Sequence, residues 1–374
     1  MTSRFLALLR TELSPQERPI IIAPMVNQSE LAFRIQCRRR SKANLCFTPM
    51  LHAKCFSEGE RVRKDSFNTC AEDRPLIAQF CGNDPDTLLR AAKFVEDRVD
   101  GIDLNLGCPQ QIAKKGKYGS FLLENTDLLC QIVRKLSQNL SVPVSCKIRM
   151  VPGPVENTLD LCRKLEQAGC EMITLHGRYR EQNKQLVGEC NWDVIRQVKQ
   201  AVNIPVVANG GIGNRADMLR CLEETGVDGV MSCEAVLENP TLFHPELQVG
   251  GEPFQVALEY LELAHQFPDG CQPKPARTHL FNFLSTTLKA HHEFYSKLGN
   301  ARTLTEMQTV VLELQSLHIG SEPTICSTKD CAKFGPWYMR HRLNGSAEAI
   351  LKNSANNKRE KIQHDEEEDN IQVN

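Results

Sequence analysis

The amino-acid sequence predicts a parallel (β/α)₈ TIM barrel followed by a small C-terminal helical domain and a disordered polar tail. Three observations support the barrel: eight short β-rich segments, helix-like segments with capping residues between them, and an alternation that runs for about 235 residues, close to the usual length of this fold. A doubly wound open sheet is the competing architecture because it uses the same alternation.

The eight predicted strands are short, apolar and rich in β-branched residues, and Gly, Pro or polar residues bound them. In order they are PIIIAP (19–24), LCFTPM (45–50), PLIAQF (75–80), GIDLNLG (101–107), VPVSCKIR (142–149), CEMITLHG (170–177), IPVVANG (204–210) and VDGVMS (227–232).

From about residue 250 the pattern becomes helical, in the segments FQVALEYLELAHQF, ARTHLFNFLSTTLKAHHEFYSKLG and LTEMQTVVLELQSLH. We therefore predict a barrel domain over residues 1–248 and a helical domain over 249–343. The tail, 344–374, carries a basic cluster and then an acidic one with few apolar residues, so we expect it to be disordered.

Composition excludes several classes of protein. Charged residues make up 24% of the chain and the net charge is −1, so no global signal points to a nucleic acid or a membrane. No apolar run approaches the roughly 18 residues of a membrane span, and FLALL is too short for a signal core. The 16 cysteines include no Cys-x-x-Cys motif. We expect reduced thiols, no metal, a monomer, and a cytoplasmic location with the nucleus as an alternative.

In a barrel enzyme the active site lies at the C-terminal ends of the strands, so the residues that leave each strand are the candidates. An amide, a thiol, cationic groups, a histidine and a glycine-rich turn follow successive strands here. The candidates are Pro24, Met25, Pro49, Met50, Gln79, Asn105, Cys108, Lys147, Arg149, His176, Arg178, Asn209 and Gly210.

Cys108 stands out because it directly follows a predicted strand in the segment GIDLNLGCPQ. Gly107 permits unusual backbone angles and Pro109 cannot continue a strand, so the cysteine is predicted to lie on a rigid turn. A buried structural cysteine is the alternative. Since an unperturbed thiol has a pKa near 8.5 and is mostly protonated at neutral pH, Cys108 could act as an acid.

The turn after the seventh strand, ANGGIGNRADM, places Gly211, Gly213 and Ala216 at the spacing of a dinucleotide fingerprint. In barrels, the loops after strands seven and eight commonly hold one phosphate on backbone N–H groups. We therefore predict FMN rather than NAD at this turn, with a turn that needs glycines only for its backbone as the alternative.

The segments LNLGCPQQIAKKGKYGSFLL, APMVNQSELAFR, TPMLHA, DRPLIAQFCGNDP, CKIR, LHGR and ANGGI together resemble the tRNA-dihydrouridine synthase family, and most closely its eukaryotic branch that acts on D-loop positions 16 and 17. The similarity covers nearly all of the barrel and extends more weakly into the helical region. It implies bound FMN, NADPH or NADH as the hydride donor, and reduction of the C5–C6 bond of a uridine in tRNA.

The resemblance also implies roles for individual residues. Cys108 is the implied proton donor. Many relatives carry a Gly-Arg pair where this chain has Cys233 and Glu234, so backbone N–H groups and Arg178 would have to hold the flavin phosphate. The implied FMN-binding residues are Pro24, Met25, Val26, Gln79, Lys147, His176, Asn209, Gly210, Gly211, Cys233 and Glu234.

A uridine must leave its stack to reach a flavin, which requires basic groups around the pocket. Candidate basic segments lie at 34–42, 61–64 and 113–119. In the helical domain, residues 271–342 carry nine Lys or Arg against five Asp or Glu, with His279, Phe294 and Tyr295 among them, so we predict that this domain binds tRNA. Solvated helix faces are the alternative. The predicted substrate-binding residues are Asn105, Lys114, Lys115, Lys117, Tyr118 and Arg178.

Two other functions use the same constellation. One is an FMN barrel enzyme that reduces a free pyrimidine or an enone. The other is a catalytically silent tRNA-binding protein that keeps the barrel and has lost the flavin. Bound flavin argues against the second, and a requirement for intact tRNA argues against the first.

Overall fold

A computed structural model describes residues 4–11, 13–183, 187–244 and 253–317. Its strands are β1 Ile20–Ile22, β2 Leu45–Phe47, β3 Leu51–His52, β4 Leu76–Cys81, β5 Gly101–Leu106, β6 Val144–Arg149, β7 Met172–His176, β8 Val206–Asn209 and β9 Gly229–Ser232. They form one parallel sheet in the order β2-β1-β9-β8-β7-β6-β5-β4-β3, and a further pairing between β2 and β4 closes it into a barrel. The predicted TIM barrel is confirmed.

The second predicted strand, 45–50, is interrupted. It ends at Phe47, and the chain resumes pairing only at Leu51. Both short pieces lie beside the same neighbour, since Phe47 pairs with Ile77 and Leu51 pairs with Phe80 of β4. They therefore occupy one position of an eight-position barrel.

Helices surround the barrel and lie between successive strands. Several begin at a side-chain cap, as at Asp84, Asn125, Asn191 and Asn214, which supplies an acceptor for an otherwise unpaired N–H. The barrel-associated helices are α1 Arg4–Arg10, α2 Leu31–Ser41, α3 Ala53–Glu58, α4 Glu60–Ser66, α5 Pro85–Lys93, α6 Gln111–Lys115, α7 Thr126–Asn139, α8 Val155–Gln167, α9 Trp192–Ala201, α10 Arg215–Thr225 and α11 Glu234–Glu238.

The first helix covers the N-terminal end of the barrel. Phe5 and Leu9 are buried, and a Cβ atom added to Gly101, where β5 begins, would lie 2.7 Å from the Phe5 ring. Because one end is covered in this way, access to the barrel is from the C-terminal ends of the strands. None of the helices in the described ranges is long and apolar enough to cross a membrane.

The predicted helical region begins with α12 Pro253–Gln266 and ends, within the described residues, with α16 Leu304–Ser316. The segment 276–299, one helical run in the sequence pattern, is divided among α13 Pro273–Phe283, α14 Ser285–Ala290 and α15 His292–Asn300. The predicted boundary between 248 and 249, residues 318–343 and the tail 344–374 lie outside the described residues.

The helical region packs against α2 of the barrel. Gln36 Nε2 donates to the Val256 carbonyl at 2.8 Å. Glu30, just before α2, accepts a hydrogen bond from Tyr260 Oη at 2.7 Å and lies 3.1 Å from His279 Nε2. His279 is fully buried and stacks on Phe33. These contacts use His279 inside the protein, so it is not available to an RNA.

Candidate active site

The predicted side chains at the ends of β4 to β8 come together at the open end of the barrel. Register explains this, because Asn105 of β5 lies beside Lys147 of β6, and His176 of β7 lies beside Asn209 of β8. Parallel strands end at the same edge, so residues far apart in sequence become neighbours. We call this group of side chains the barrel mouth.

Lys147 is held by the neighbouring strand. Its Nζ donates to Asn209 Oδ1 at 2.8 Å, and Asn209 Nδ2 donates to the Met231 carbonyl at 3.0 Å, which turns the amide oxygen toward the lysine. Burial lowers the pKa of Lys147 to about 8. The ammonium is therefore still mostly protonated at neutral pH, but it loses its proton more easily than an exposed lysine.

Two arginines, Arg149 and Arg178, extend the positive charge, and a histidine lies beside Arg178. Arg178 donates from Nη1 to His176 Nε2 at 3.1 Å and from Nη2 to the Gly188 carbonyl at 3.0 Å. Burial, reinforced by Arg149, Lys147 and Arg178, holds the pKa of His176 well below its usual value. His176 is therefore neutral and its Nε2 accepts a hydrogen bond.

Arg149 connects two loops of the mouth. The sequence placed it among the strand-end candidates but assigned it no role. Its Nε donates to the Gly107 carbonyl at 2.9 Å and its Nη1 donates to the Tyr179 carbonyl at 2.9 Å. Burial, together with the nearby Arg178, lowers the pKa of Arg149 to about 10. Arg149 therefore stays charged and ties the Cys108 turn to the loop after β7.

Cys108 lies on the predicted turn, half-buried. Its N–H donates to Asn105 Oδ1 at 3.0 Å, and its carbonyl accepts from the backbone N–H and the hydroxyl of Ser120 at 3.1 and 2.9 Å. Gly119 has φ +65°, and a Cβ atom there would lie 2.8 Å from the Cys108 carbonyl oxygen. The backbone on both sides of the thiol is thus fixed.

The loop after Cys108 carries three exposed lysines, Lys114, Lys115 and Lys117, which have no ion-pair partner among the described residues. Tyr118, predicted to contact substrate, is only 4% exposed and meets the His52 ring edge-on at 5.3 Å. Little of its ring is left for base stacking, and it serves to pack this loop against the barrel.

The turn after β8 has two glycines in the left-handed region of backbone conformation. Gly210 and Gly211 have φ of +98° and +77°, and a Cβ atom on Gly210 would lie 2.8 Å from the His176 ring. Trp192 Nε1 donates to the Gly210 carbonyl at 3.1 Å. A side chain at position 210 would therefore lie too close to the His176 ring of the barrel mouth.

The remaining predicted cofactor residues lie around this centre. In the loop after β1, Met25 is buried and its N–H donates to Ser29 Oγ at 2.9 Å, while Val26 is 50% exposed. After β9, Cys233 is half-buried and Glu234 is exposed. Burial raises the pKa of the Cys233 thiol, with a further contribution from Glu234, so the thiol is neutral.

A buried polar layer lies one step deeper, and Asp103 is its centre. Asp103 accepts from Gln79 Nε2 at 2.8 Å and from Ser145 Oγ at 2.6 Å. All three residues are fully buried. Burial raises the pKa of Asp103 to about 6, although these hydrogen bonds oppose the effect. The sequence signal was a carboxylate inside a strand predicted to be buried, which is rare without a partner.

The basic segments 34–42 and 61–64 are largely neutralised by acidic neighbours. In the segment 34–42, Arg34 and Arg38 pair with Asp73, and Arg39 pairs with Glu72. The remaining pairs in these segments are Arg40 with Glu259, Arg61 with Asp65 and Lys64 with Glu60, and in the helical region Lys297 pairs with Glu313.

Fold and mouth define a (β/α)₈ barrel protein with a cationic, cysteine-bearing mouth. The sequence matches the family described as "Dihydrouridine synthase (Dus)" over residues 21–315. The chain belongs to the dihydrouridine synthase family. Within the described ranges no three His, Cys, Asp or Glu side chains form a group that could hold a metal ion.

Individual relatives agree with this membership. A tRNA-dihydrouridine(16/17) synthase-like protein of Rattus norvegicus is 45% identical over 294 residues, which cover 78% of this chain and 65% of the rat protein. The tRNA-dihydrouridine(16/17) synthase of Schizosaccharomyces pombe is 42% identical over 302 residues, 77% of this chain and 75% of the yeast protein. A tRNA-dihydrouridine(20a/20b) synthase-like protein of Mus musculus is 40% identical, over 60% and 68%. The chain thus spans just under two thirds of the rat protein.

Proposed function

We propose that the protein reduces the C5–C6 bond of uridine to dihydrouridine in the D-loop of tRNA, at positions 16 and 17, with FMN as the bound cofactor and NADPH or NADH as the hydride donor. One observation carries the proposal: in a chain of this family, Cys108 is fixed on a rigid turn at the same mouth as Lys147 and Arg178.

The donor set fits an anionic cofactor. Lys147, Arg149 and Arg178 lie so close that Arg149 opposes the charge of Lys147 and Arg178 opposes that of Arg149, while Asp103 stabilises Lys147. A bound anion would relieve this repulsion, because opposite charges favour the ionised forms. FMN carries a phosphate and a ring whose reduced form is anionic.

Residues of the chain can be assigned to the cofactor on this basis. Lys147 and Asn209, with Gln79 beneath, would hold the polar edge of the ring, and the loop with Pro24, Met25 and Val26 would border it. The backbone of Gly210 and Gly211, with Arg178 and His176, would hold the phosphate, and Cys233 and Glu234 lie on that side. FMN, when bound, supplies the hydride that goes to uridine C6.

The chain itself supplies a proton and holds the RNA. Cys108 donates its thiol proton to uridine C5, and its anchored backbone restricts the positions that the sulfur can occupy at the mouth. Arg149 holds the same turn from the other side. The exposed Lys114, Lys115 and Lys117 contact tRNA phosphates beside the base that leaves its stack. These unpaired lysines favour an RNA substrate over a free pyrimidine.

Two measurements test the proposal. Denaturing the purified protein should release FMN; release of FAD, or failure to reconstitute any flavin, would contradict the cofactor assignment. In tRNA from cells that lack and then regain the protein, mass mapping should show two hydrogens gained at uridines 16 and 17. A gain at another uridine would correct the position, and no gain would refute the activity.

A further inference from the structure

The catalytic turn is connected to the interior of the barrel by a chain of hydrogen bonds. Asp103 accepts from Gln79 Nε2 at 2.8 Å, Gln79 Oε1 accepts from Asn105 Nδ2 at 2.7 Å, and Asn105 Oδ1 accepts from the Cys108 N–H at 3.0 Å. Asn105 Oδ1 also lies 3.3 Å from the Gly107 nitrogen, which donates to it. We call Asp103, Gln79, Asn105 and Cys108 the Asp103 relay.

We propose that Asp103 is a positioning residue, which fixes the Cys108 turn by setting the orientation of the Gln79 and Asn105 amides. It does not touch the reacting atoms. The inference adds to the proposed function a residue that resemblance did not assign, and it rests on that function for its activity readout only.

The orientation of each amide in the relay depends on which neighbouring groups can donate a hydrogen bond. An ionised carboxylate only accepts, whereas each amide has one end that donates and one that accepts. Asp103 also accepts from Ser145 Oγ, so both of its oxygens are used. Gln79 must therefore turn its NH₂ group toward Asp103, and its oxygen is left facing Asn105.

The same constraint then passes to Asn105. Its NH₂ group faces the Gln79 oxygen, so its own oxygen is left for the N–H groups of Gly107 and Cys108. If the Gln79 amide turned over, Asn105 would follow and two donors would face each other at Cys108. An unmade hydrogen bond in a buried site is costly, so the carboxylate decides the geometry of the turn.

Burial makes the relay effective. Asp103 and Gln79 have no exposed surface and Asn105 is 9% exposed, so water does not compete along most of the chain. Gln79 is fixed a second way, since its backbone N–H donates to Thr48 Oγ1 at 3.1 Å. The relay uses one donor and the acceptor of the Gln79 side chain, so both ends of the amide are held.

Three variants separate positioning from charge and from packing. Asp103→Leu removes the acceptor and the charge. Asp103→Asn removes the charge but keeps an oxygen that can accept from Gln79, while its NH₂ group can donate to Ser145. Ser145→Ala removes the other partner of Asp103 and leaves the relay to Cys108 intact. If Asp103→Leu does not fold, Gln79→Met interrupts the relay one step later at similar volume.

The primary readout does not require activity. Hydrogen–deuterium exchange of a peptide containing Gly107 and Cys108 should become about tenfold faster in Asp103→Leu, because roughly one hydrogen bond is lost. It should stay within about twofold of the parent protein in Asp103→Asn and Ser145→Ala. The relay would be overturned by an unchanged exchange rate in Asp103→Leu, or by an equally large acceleration of exchange in Asp103→Asn.

The second readout is kinetic. Uridine reduction by the pre-reduced protein should slow by about 10²-fold in Asp103→Leu, the usual effect of a small misplacement of a reacting group. FMN content and reduction by NADPH should stay close to those of the parent, whereas general damage to the barrel would lower all three. If exchange changes as expected but the parent protein forms no dihydrouridine, the proposed function fails and the relay stands.

Discussion

The barrel mouth and helix α2 are both rich in cations, but they use them differently. In α2, Arg34 and Arg38 share Asp73, and Arg39 donates to Glu72 at 2.9 and 2.8 Å. At the mouth, Lys147 is held by the neutral amide of Asn209, and Arg178 by a carbonyl and a neutral histidine.

The difference shows that basic residues in a sequence are not the same as available positive charge. The cations of α2 are neutralised by carboxylates. The buried pair of Arg34 with Asp73 stabilises the fold, whereas the exposed pair of Arg39 with Glu72 contributes little. Those of the mouth are oriented by groups without charge, so their field remains for a ligand. The lysines after Cys108 extend that field to the surface.

The mouth should give the largest effect. Replacing Cys108 by alanine should slow uridine reduction about 10² to 10⁴-fold, because the proposed proton donor is lost, while FMN binding and reduction by the nicotinamide continue. Stopped-flow measurement of the two half-reactions separates these steps. Cys130→Ala, which removes a half-buried thiol on α7, is the matched control. Dihydrouridine formation near the parent rate in Cys108→Ala would dismiss the acid role.

The second prediction concerns the paired side of the comparison. Asp73→Ala should destabilise the protein by about 3 to 5 kcal/mol, since it leaves the buried Arg34 guanidinium without its carboxylate. Glu72→Ala, which breaks the exposed pair with Arg39, should cost about 0 to 1 kcal/mol. Urea unfolding measures both. Equal losses would mean that burial does not distinguish the two pairs.

The third prediction tests the lysines beside Cys108. Changing Lys114, Lys115 and Lys117 together to glutamine should weaken tRNA binding and reduce the slope of log K against log salt by about 2, as expected for loss of up to three phosphate contacts. The control is Arg61→Gln with Lys64→Gln, two exposed cations of α4 that pair with Asp65 and Glu60. If the control variant weakens tRNA binding as much as the triple variant does, the lysines beside Cys108 have no special role in binding.

The smallest effect is expected in the helical region, where charge reversal at Lys289 and Lys297 should weaken tRNA binding and make its salt dependence shallower. Lys297 lies 2.8 Å from Glu313 and over the Phe294 ring, so part of its charge is already used. Glu313→Gln breaks that ion pair and keeps the cation, which makes it the control. If binding is unchanged at every salt concentration, recognition lies in the barrel loops.

The barrel was predictable because its signal is local. Buried parallel strands are continuous apolar runs, and β4 and β5 are buried at every position. The convergence of Lys147, His176 and Asn209 followed from fold geometry alone. By contrast, β3 has two residues, too few to show a period. The breaks after Phe283 and Ala290 occur without Pro or Gly, so no helix-breaking residue marks them in the sequence.

Pairing and orientation were not predictable in the same way. Arg40 meets Glu259 across 219 residues of sequence, and no local pattern announces that contact. The Asp103 relay uses ordinary amides whose roles depend on which end faces which neighbour. A single carboxylate in an apolar strand was the only local sign that a partner would be found.

Gly119 offers a way to sort members of the family by inspection. Any side chain there would meet the Cys108 carbonyl at 2.8 Å on a backbone with φ +65°, a conformation that L-residues rarely adopt. A relative that keeps the cysteine but has acquired alanine or a larger residue at this position could not seat its turn as this chain does. Under the proposed function, the thiol of such a relative would not be placed for proton transfer as Cys108 is, even though the cysteine is present.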